Sequence, residues 1–142
     1  MVEKLLLEEE LKEERKYPLN QFLKMIKFKS LNQSKQFKEI LKKKKFNNKY
    51  FTIYFDKNLN NNINKYLNIS FVMKKKIGNA VIRNKVKRKL KSAVQKISKE
   101  KSLIDLNHTY VIFGKNIVYK DKFSLILREV NDTFKKIKLL GG

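Results

Sequence analysis

The stretch FVMKKKIGNAVIRNKVKRKLKSAVQKISK, residues 71–99, determines the fold that we predict for the whole chain. It contains no Asp or Glu, and its cations are concentrated between positions 74 and 91. Such a block of like charge normally repels itself and stays disordered. Here an apolar stripe with steps of three or four residues runs through it, formed by Ile82, Val86, Leu90, Ala93 and Ile97. That spacing predicts a helix with one buried side and one charged, exposed side.

A turn marks the start of this helix. Gly78 supplies the turn, and Asn79 is a residue type that caps helices, so the helix should begin near Ala80. On the exposed side, cations follow one another at helical spacing, and like charges at that spacing oppose helix formation. We therefore expect a polyanion to compensate them, and we predict a nucleic-acid-binding helix.

The composition of the chain favours the same kind of partner. Its 142 residues carry 35 Lys and Arg against 13 Asp and Glu, a formal net charge of +22. A charge this large on one small domain implies a polyanionic partner and salt-dependent binding. No apolar run approaches the length that spans a membrane, and no small-molecule substrate is expected. The acidic residues 1–16 do not resemble a targeting signal, so the cytoplasm is the expected compartment.

Side chains that usually perform catalysis are scarce. The chain has no cysteine, which excludes disulfides, thiolate metal sites and a cysteine nucleophile. Its single histidine, His108, cannot form a zinc site alone and is expected to have a structural or surface role. The carboxylates of residues 17–142 lie outside the basic stretch, and no pair has the close spacing of a two-metal nuclease site. We therefore predict no catalytic residue and no metal ligand in the polypeptide.

Residues 50–55, YFTIYF, predict a strand by their composition and alternation. The face expected to join the core holds Phe51, Ile53 and Phe55. The opposite face, expected to be half exposed, holds Tyr50, Thr52 and Tyr54.

The order of the predicted elements indicates a mixed fold. Residues 2–16 are typical of an acidic helix, which Pro18 separates from the rest. A helix over 35–45 should be capped by Ser34 and end in the lysine run 42–45. It is followed by the strand 50–55, a hairpin connection over 57–64, a strand over 66–74, the basic helix, a strand over 109–113 stopped by Gly114 and a helix over 122–138. We expect an α+β fold, a small α/β sandwich of order α-β-β-(β)-α-β-α, with a central, mainly antiparallel sheet of about four strands packed by helices.

Residues 75–88, KKIGNAVIRNKVKR, resemble the signature of the bacterial ribonuclease P protein subunit. Members of that family carry a Lys-(Ile/Val)-Gly-Asn-Ala-Val turn that runs into Arg-Asn-Arg-x-(Lys/Arg)-Arg. The resemblance extends more weakly over residues 29–138, through the element order and the aromatic positions. The chain departs from the pattern at Lys85, where the family has Arg, and at Leu41, where the family's early helix offers a second Phe.

The resemblance implies a division of the chain and a topology. Residues 1–28 would be an N-terminal extension, made of the acidic helix and a linker. Residues 29–138 would be the RNA-binding domain, and residues 139–142 a tail. The basic helix would form a left-handed crossover, against the general right-handed preference.

The resemblance also implies the function of a ribonuclease P subunit. Such a protein binds the catalytic RNA and the 5′ leader of precursor tRNA, and it assists endonucleolytic removal of the leader. The RNA performs the hydrolysis with bound Mg²⁺, which it mainly holds, and the protein assists the binding of substrate and metal. The protein alone is therefore expected to be inactive. The residues expected to bind the catalytic RNA are Lys74, Lys75, Lys76, Asn79, Arg83, Asn84, Lys85, Lys87, Arg88 and Lys91. The residues expected to bind the leader are Phe37, Leu41, Thr52 and Tyr54.

Three other functions share part of this pattern. A ribosomal or other structural RNA-binding protein would carry the same charge without any effect on tRNA processing. An autonomous ribonuclease would need acid–base side chains, which the basic stretch lacks. A DNA-binding helix-turn-helix protein is disfavoured, because no short turn joins two compact helices ahead of residue 79.

Overall fold

A computed structural model describes the chain over residues 27–31, 33–57, 66–99 and 104–141. Within these residues the strands are β1 (Lys27–Lys29), β2 (Lys44–Asn47), β3 (Phe51–Lys57), β4 (Tyr66–Val72) and β5 (His108–Gly114). The helices are α1 (Ser34–Ile40), α2 (Ala80–Ser98), α3 (Ile117–Lys120) and α4 (Phe123–Gly141), with a 3-10 helix at Lys75–Ile77. The predicted acidic helix over 2–16 lies outside the described residues.

The strands form one mixed sheet in the order β1-β4-β5-β3-β2. Strand β5 pairs parallel to β4 and antiparallel to β3, while β1 is parallel to β4 and β2 is antiparallel to β3. The predicted α+β class is confirmed, with five strands in the described part of the chain rather than about four. The predicted mainly antiparallel pairing is wrong, because two of the four strand pairs in the described residues are parallel. The predicted hairpin between β3 and β4 is wrong, because β5 lies between them. The connection β4–α2–β5 is a parallel crossover, and its left-handed sense stays a prediction.

Strand β5 lies at the centre of the sheet because it is apolar on both faces. Tyr110, Val111 and Ile112 are all completely buried, as expected for a strand that is covered on both sides. Helix α2 carries the chain back across the sheet, so that β5 enters parallel to β4. This long-range return cannot be inferred from the local spacing around residues 57–64.

Helix α2 agrees closely with its prediction. Asn79 caps it, since its side-chain Oδ1 accepts a 3.0 Å hydrogen bond from the backbone N–H of Ile82. The helix begins at Ala80, as predicted. Of the predicted stripe, only Ile82 is half-buried rather than buried. The buried hydrophobic side chains of α2 are Val86, Leu90, Ala93, Val94 and Ile97.

The two faces of the sheet are covered differently. On one face Phe51, Ile53 and Phe55 are buried in the main core, as predicted. Helix α4 joins that core, with the ring of Phe134 centred 5.1 Å from the ring of Tyr110. The other face carries α1, whose Phe37 contacts Phe113 of the sheet.

Helix α1 is shorter than predicted. It ends at Ile40, so the predicted helix over 35–45 is wrong beyond that residue. Ser34 is not its cap either, because Gln33 occupies the N-cap position and makes no side-chain hydrogen bond to the helix.

Residues beyond α1 form β2 because tertiary packing outweighs local preference. Phe46 stacks on Phe55 of the adjacent strand, with ring centroids 5.5 Å apart. Lys44 and Lys45 are exposed on β2, which is an edge strand. Lysine on an edge strand discourages pairing with another chain. Two lysines of the run that was predicted to end a helix therefore belong to an edge strand.

Both predicted domain boundaries fall inside secondary structure. Strand β1 pairs with β4, and the ring of Phe28 is centred 6.3 Å from the ring of Phe71. The predicted boundary between residues 28 and 29 therefore divides a strand that belongs to the sheet. Helix α4 continues to Gly141, so residues 139–141 extend this helix.

Tyr50 lies in the interior, and not on the half-exposed strand face where alternation placed it. It precedes β3, and its side chain is only 4% exposed. Its hydroxyl donates a 2.7 Å hydrogen bond to Oδ2 of Asp121, and Lys49 Nζ lies 3.6 Å from the same oxygen. From α2, Lys89 Nζ donates to the backbone carbonyls of residues 118, 119 and 121 at 3.0, 3.1 and 3.1 Å. These contacts fix the corner between α3 and α4.

The contact between Tyr50 and Asp121 shifts the pKa of both groups. It is the main cause that raises the pKa of Tyr50 to about 12. It is also the main cause that holds the pKa of Asp121 below its ordinary value of 3.8. The pKa of Lys89 is lowered, first by burial and then by the charge of Lys85. The ionised Asp121 is therefore favoured by the folded chain.

We expect Asp121→Asn to remove part of the pH dependence of stability. A carboxylate with a depressed folded pKa contributes stability above its unfolded pKa and loses it as the pH falls through the folded pKa. The wild-type chain should therefore exceed the variant in free energy of unfolding at neutral pH, and the difference should shrink as the pH falls below 3.8. Denaturant unfolding from neutral to strongly acidic pH measures this difference. Asp132→Asn, at an exposed position of α4, is the control, and a difference that is constant with pH would contradict the prediction.

Gly114 lies at the end of β5, where a side chain does not fit. A Cβ at this position would lie 2.6 Å from Met73 Sδ and 2.9 Å from Val86 Cγ1. The Met73 side chain is flexible and can move aside, whereas a β-branched residue in a helix such as Val86 is held in one rotamer. The missing side chain of Gly114 therefore allows α2 to pack closely on β5.

We predict that Gly114→Ala lowers the free energy of unfolding by ~1–3 kcal/mol, the usual cost of overpacking a core. Thermal or denaturant unfolding measures the change. Gln95→Ala, at an exposed position of α2, is the matched control and should leave stability nearly unchanged. A Gly114→Ala variant as stable as the wild type would show that α2 can move away from the sheet without loss.

Candidate nucleic-acid interface

The basic turn before α2 depends on one glycine. Gly78 has φ of 154°, a conformation that other residues rarely adopt. A Cβ on Gly78 would also lie 3.0 Å from Ile82 Cδ1. The turn places the exposed residues 74–76 directly before the first turn of α2.

The residues predicted to bind RNA form one outer surface of α2 and its turn, which we name the basic face. Nine of the ten are exposed, namely Lys74, Lys75, Lys76, Asn79, Asn84, Lys85, Lys87, Arg88 and Lys91. The tenth, Arg83, is half-buried. The helix turns its apolar side to the core, so these side chains lie on the side that remains accessible. Arg-to-phosphate contacts are bidentate, and Lys acts as a point charge, so the basic face is suited to a phosphate backbone.

Arg83 differs from its neighbours in one respect. Its Nε is buried and has no hydrogen-bond partner among the described residues. A buried donor in a folded chain normally has an acceptor. Among the described residues, Arg83 Nε is an exception to this rule.

Of the residues predicted to bind the leader, Phe37, Thr52 and Tyr54 meet on the other face of the sheet, around Phe113. The ring of Phe37 is centred 6.2 Å from the ring of Phe113, and the ring of Tyr54 is centred 5.5 Å from it, both edge-to-face. Thr52 is the direct cross-strand partner of Phe113. Leu41 is half-buried one turn after Phe37, and its backbone N–H donates to the Phe37 carbonyl at 3.3 Å. We name these five residues the aromatic cleft.

Phe113 is the central residue of the aromatic cleft, and sequence reasoning missed it. Period-two alternation places it opposite the buried Ile112, a signal that was present in the strand 109–113. Its position beside Thr52 follows from the pairing of β5 with β3. The predicted hairpin instead paired β3 with β4.

The basic face and the aromatic cleft meet at Phe113. Lys74 Nζ lies 5.4 Å from the centroid of the Phe113 ring, a cation–π contact. Val72, at the end of β4, is the parallel cross-strand partner of Phe113. The first cation of the basic turn is therefore next to the aromatic cluster.

A second polar cluster lies at the edge of the cleft and was also missed. Thr52 Oγ1 donates a 2.8 Å hydrogen bond to Asn47 Oδ1. Lys115 Nζ donates to the same oxygen and to the Asn48 carbonyl, each at 2.6 Å. These bonds hold one more cation beside Thr52, in a loop after β5 that has no sequence pattern to mark it.

The described residues contain neither a metal-binding cluster nor a membrane-spanning helix. No group of three or more His, Asp or Glu is arranged to hold a metal ion within them. Among the helices that these residues form, none is long and apolar enough to cross a membrane. His108 is buried, with Nδ1 2.9 Å from Asp105 Oδ2. Of the two expected roles, structural or surface, it therefore has the structural one.

A sequence model of the Ribonuclease P family matches residues 25–138, most of the chain. The chain belongs to the ribonuclease P protein family. The ribonuclease P protein component of Mesoplasma florum is 33% identical over 97 residues, which are 68% of this chain and 83% of that protein. The corresponding protein of Mycoplasma mycoides is 33% identical over 104 residues, 72% of this chain and 90% of that protein.

Solved structures of ribonuclease P proteins share this fold. A Staphylococcus aureus RNase P protein mutant with defective mRNA degradation activity is 26% identical, with a TM-score of 0.62 over 77% of this chain and 87% of that one. The Thermotoga maritima RNase P protein, 23% identical, has a TM-score of 0.58 over 76% of this chain and 96% of that one, and it supports the fold alone. The predicted function, that of a ribonuclease P protein component in tRNA processing, is thus confirmed. A ribosomal protein is not favoured.

Proposed function

We propose that this ribonuclease P protein binds the catalytic RNA through its basic face and the 5′ leader of precursor tRNA through its aromatic cleft. The observation that carries the proposal is the contact between Lys74 and Phe113, which joins the two surfaces. A single-stranded leader that lies in the cleft would leave it directly beside the RNA-binding turn.

The side chains of the cleft fit a leader of variable sequence. Phe37, Tyr54 and Phe113 are all half-buried, so part of each ring is accessible. Aromatic rings stack on bases without demanding a particular sequence, because every base has a π-face. The lysines at positions 74 and 115 lie near the cluster and can neutralise leader phosphates.

We assign the hydrolysis to the RNA and its Mg²⁺. Mg²⁺ prefers oxygen ligands in a strict octahedral arrangement, and the basic face presents cationic nitrogens and the amides of Asn79 and Asn84. Its residues therefore do not fit a Mg²⁺ site, whereas RNA phosphates supply such oxygens. The protein's part is to bind and position RNA and to reduce the repulsion between phosphate backbones. The cytoplasm, where tRNA is processed in bacteria, is the compartment that fits this role.

Cleavage of precursor tRNA at low Mg²⁺ tests the proposed function. We expect the RNA subunit with this chain to cleave faster than the RNA alone, because protein cations replace part of the charge neutralisation that Mg²⁺ otherwise supplies. We expect no cleavage by the RNA-free protein. Equal rates with and without the chain would refute the assisting role, and activity of RNA-free protein that one carboxylate substitution abolishes would refute the assignment of catalysis.

We predict that Arg88→Ala weakens binding of the RNA subunit and flattens its salt dependence. Each lost phosphate contact should reduce the log–log salt slope by roughly 0.7 to 0.9. Binding isotherms at several salt concentrations give this slope. Lys57→Ala is the matched control, because Lys57 is exposed at the opposite end of the sheet from the basic turn. Identical slopes for Arg88→Ala and wild type would place the RNA elsewhere.

We predict that Tyr54→Ala selectively weakens binding of precursor tRNA by the assembled enzyme. One stacked base is worth ~1–3 kcal/mol, so the affinity for precursor tRNA should fall about 5- to 100-fold. Mature tRNA has no leader and should bind unchanged. The measured quantity is the ratio of the two affinities, with unfolding curves to confirm an intact fold. A wild-type ratio would show that Tyr54 only packs against Phe113.

A further inference from the structure

A shallow pocket lies beside the basic face, outside the aromatic cleft. It is formed where the 3-10 helix and the first turn of α2 face α3. Its volume is about 360 Å³, and it is open to solvent on one side. Pockets that bind small ligands begin at roughly 300 Å³, so the space suits one small planar group. It is lined by Ile77, Ile82, Asn116, Ile117, Tyr119 and Lys120.

The lining is apolar at a place where the surface is otherwise strongly cationic. Three isoleucines and a tyrosine contribute most of it. Exposed apolar patches rimmed by polar residues often mark binding sites, and this patch adjoins the helix that carries the basic face.

Two lysines lie at the pocket. Lys85 Nζ lies 4.9 Å from the centroid of the Tyr119 ring, and Lys120 is part of the lining. The lysine run 74–76 directly precedes the pocket in the chain. The adjacent carboxylate of Asp121 is bound by a tyrosine hydroxyl and a lysine ammonium outside the pocket. The pocket therefore suits a ligand with an apolar planar part and negative charges next to it.

Asn116 adds a polar group that the fold does not use. It occupies the N-cap position of α3, but its side chain makes no capping hydrogen bond, and it is exposed. Its amide carries both a donor and an acceptor. That pair matches the edge of adenine, which presents an amino donor beside a ring-nitrogen acceptor.

We propose that this pocket receives one unpaired base of the RNA that the basic face binds, with adenine preferred. The proposal rests on the proposed function, because the base belongs to an RNA held by the neighbouring cations. The base lies among the isoleucine side chains and against Tyr119, while its flanking phosphates face Lys85 and Lys120. Aromatic contact to a base combined with cations along the backbone is the usual arrangement for binding unpaired nucleotides.

Methyl NMR of the wild-type chain tests the pocket without any substitution. Titration with adenosine monophosphate should shift the isoleucine methyl signals of Ile77, Ile82 and Ile117, because the base ring changes their magnetic environment. The methyl of the completely buried Ile53 is the internal control. Ribose 5-phosphate, which has no base, should leave the three signals in place. The absence of shifts with adenosine monophosphate, or equal shifts with both compounds, would overturn the proposal.

Asn116→Ala tests the preference for adenine. The substitution is at an exposed position and should not disturb the fold. Wild type should bind adenosine monophosphate more tightly than uridine monophosphate, and the variant should bind the two equally. A wild type that does not distinguish the two nucleotides would overturn the adenine preference.

Binding of the RNA subunit to the chain separates this proposal from the proposed function. Tyr119→Ala should lower the affinity about 5- to 100-fold at every salt concentration. Its salt slope should match wild type, since the loss of a base contact releases no counterions. Tyr66→Ala is the matched control, because Tyr66 is an exposed tyrosine at the other end of the sheet. Tyr119→Phe keeps the aromatic ring and should retain most of the affinity. Failure of the wild-type chain to bind the RNA would refute the proposed function, whereas tight binding with Tyr119→Ala equal to Tyr66→Ala would refute the pocket alone.

Discussion

The fold depends on the burial of one side of α2. The other side of this helix carries cations at helical spacing, and their mutual repulsion must be offset by that burial. Val86, Leu90 and Val94 are completely buried, and each such side chain contributes ~1.5–3 kcal/mol. A like-charge pair at helical spacing costs only ~0.2–0.5 kcal/mol. Burial therefore outweighs several repulsive pairs, and the stability of the helix does not depend on bound RNA. The free energy of binding to a polyanion would then not have to include the cost of forming the helix.

Several lysines of α2 contact groups that carry no formal negative charge. Lys85 and Lys96 lie over the rings of Tyr119 and Phe123, with Nζ 4.9 and 5.4 Å from the centroids. Lys89 donates to three backbone carbonyls. Aromatic faces and carbonyl dipoles orient an ammonium group but leave its charge uncompensated. The positive field of α2 is thereby preserved for a polyanion, whereas carboxylate partners would have reduced it.

A feature of the structure could be predicted from the sequence when residues close to it in the chain determine it. The cap at Asn79 and the stripe of α2 arise within one helix, so their positions could be predicted residue by residue. The strand identity of Lys44–Asn47 depends on Phe46 stacking on Phe55, a contact that local propensity does not contain. The position of Phe113 depends on β5 pairing with β3 after a long crossover. The aromatic cleft could thus be predicted in its parts from β3 and α1, but its central residue could not.

The contact that joins the two surfaces also fixes their separation. Phe113 lies in the central strand of the sheet, Tyr54 contacts it from β3, and Lys74 contacts it from the turn after β4. Groups held by strands are positioned more precisely than groups on loops. The sheet would therefore fix the distance between a leader base stacked on Tyr54 and an RNA phosphate near Lys74. Because Gly114 follows Phe113 and lets α2 pack on the same strand, the packing of the core and the spacing between the basic face and the aromatic cleft depend on one short segment of β5.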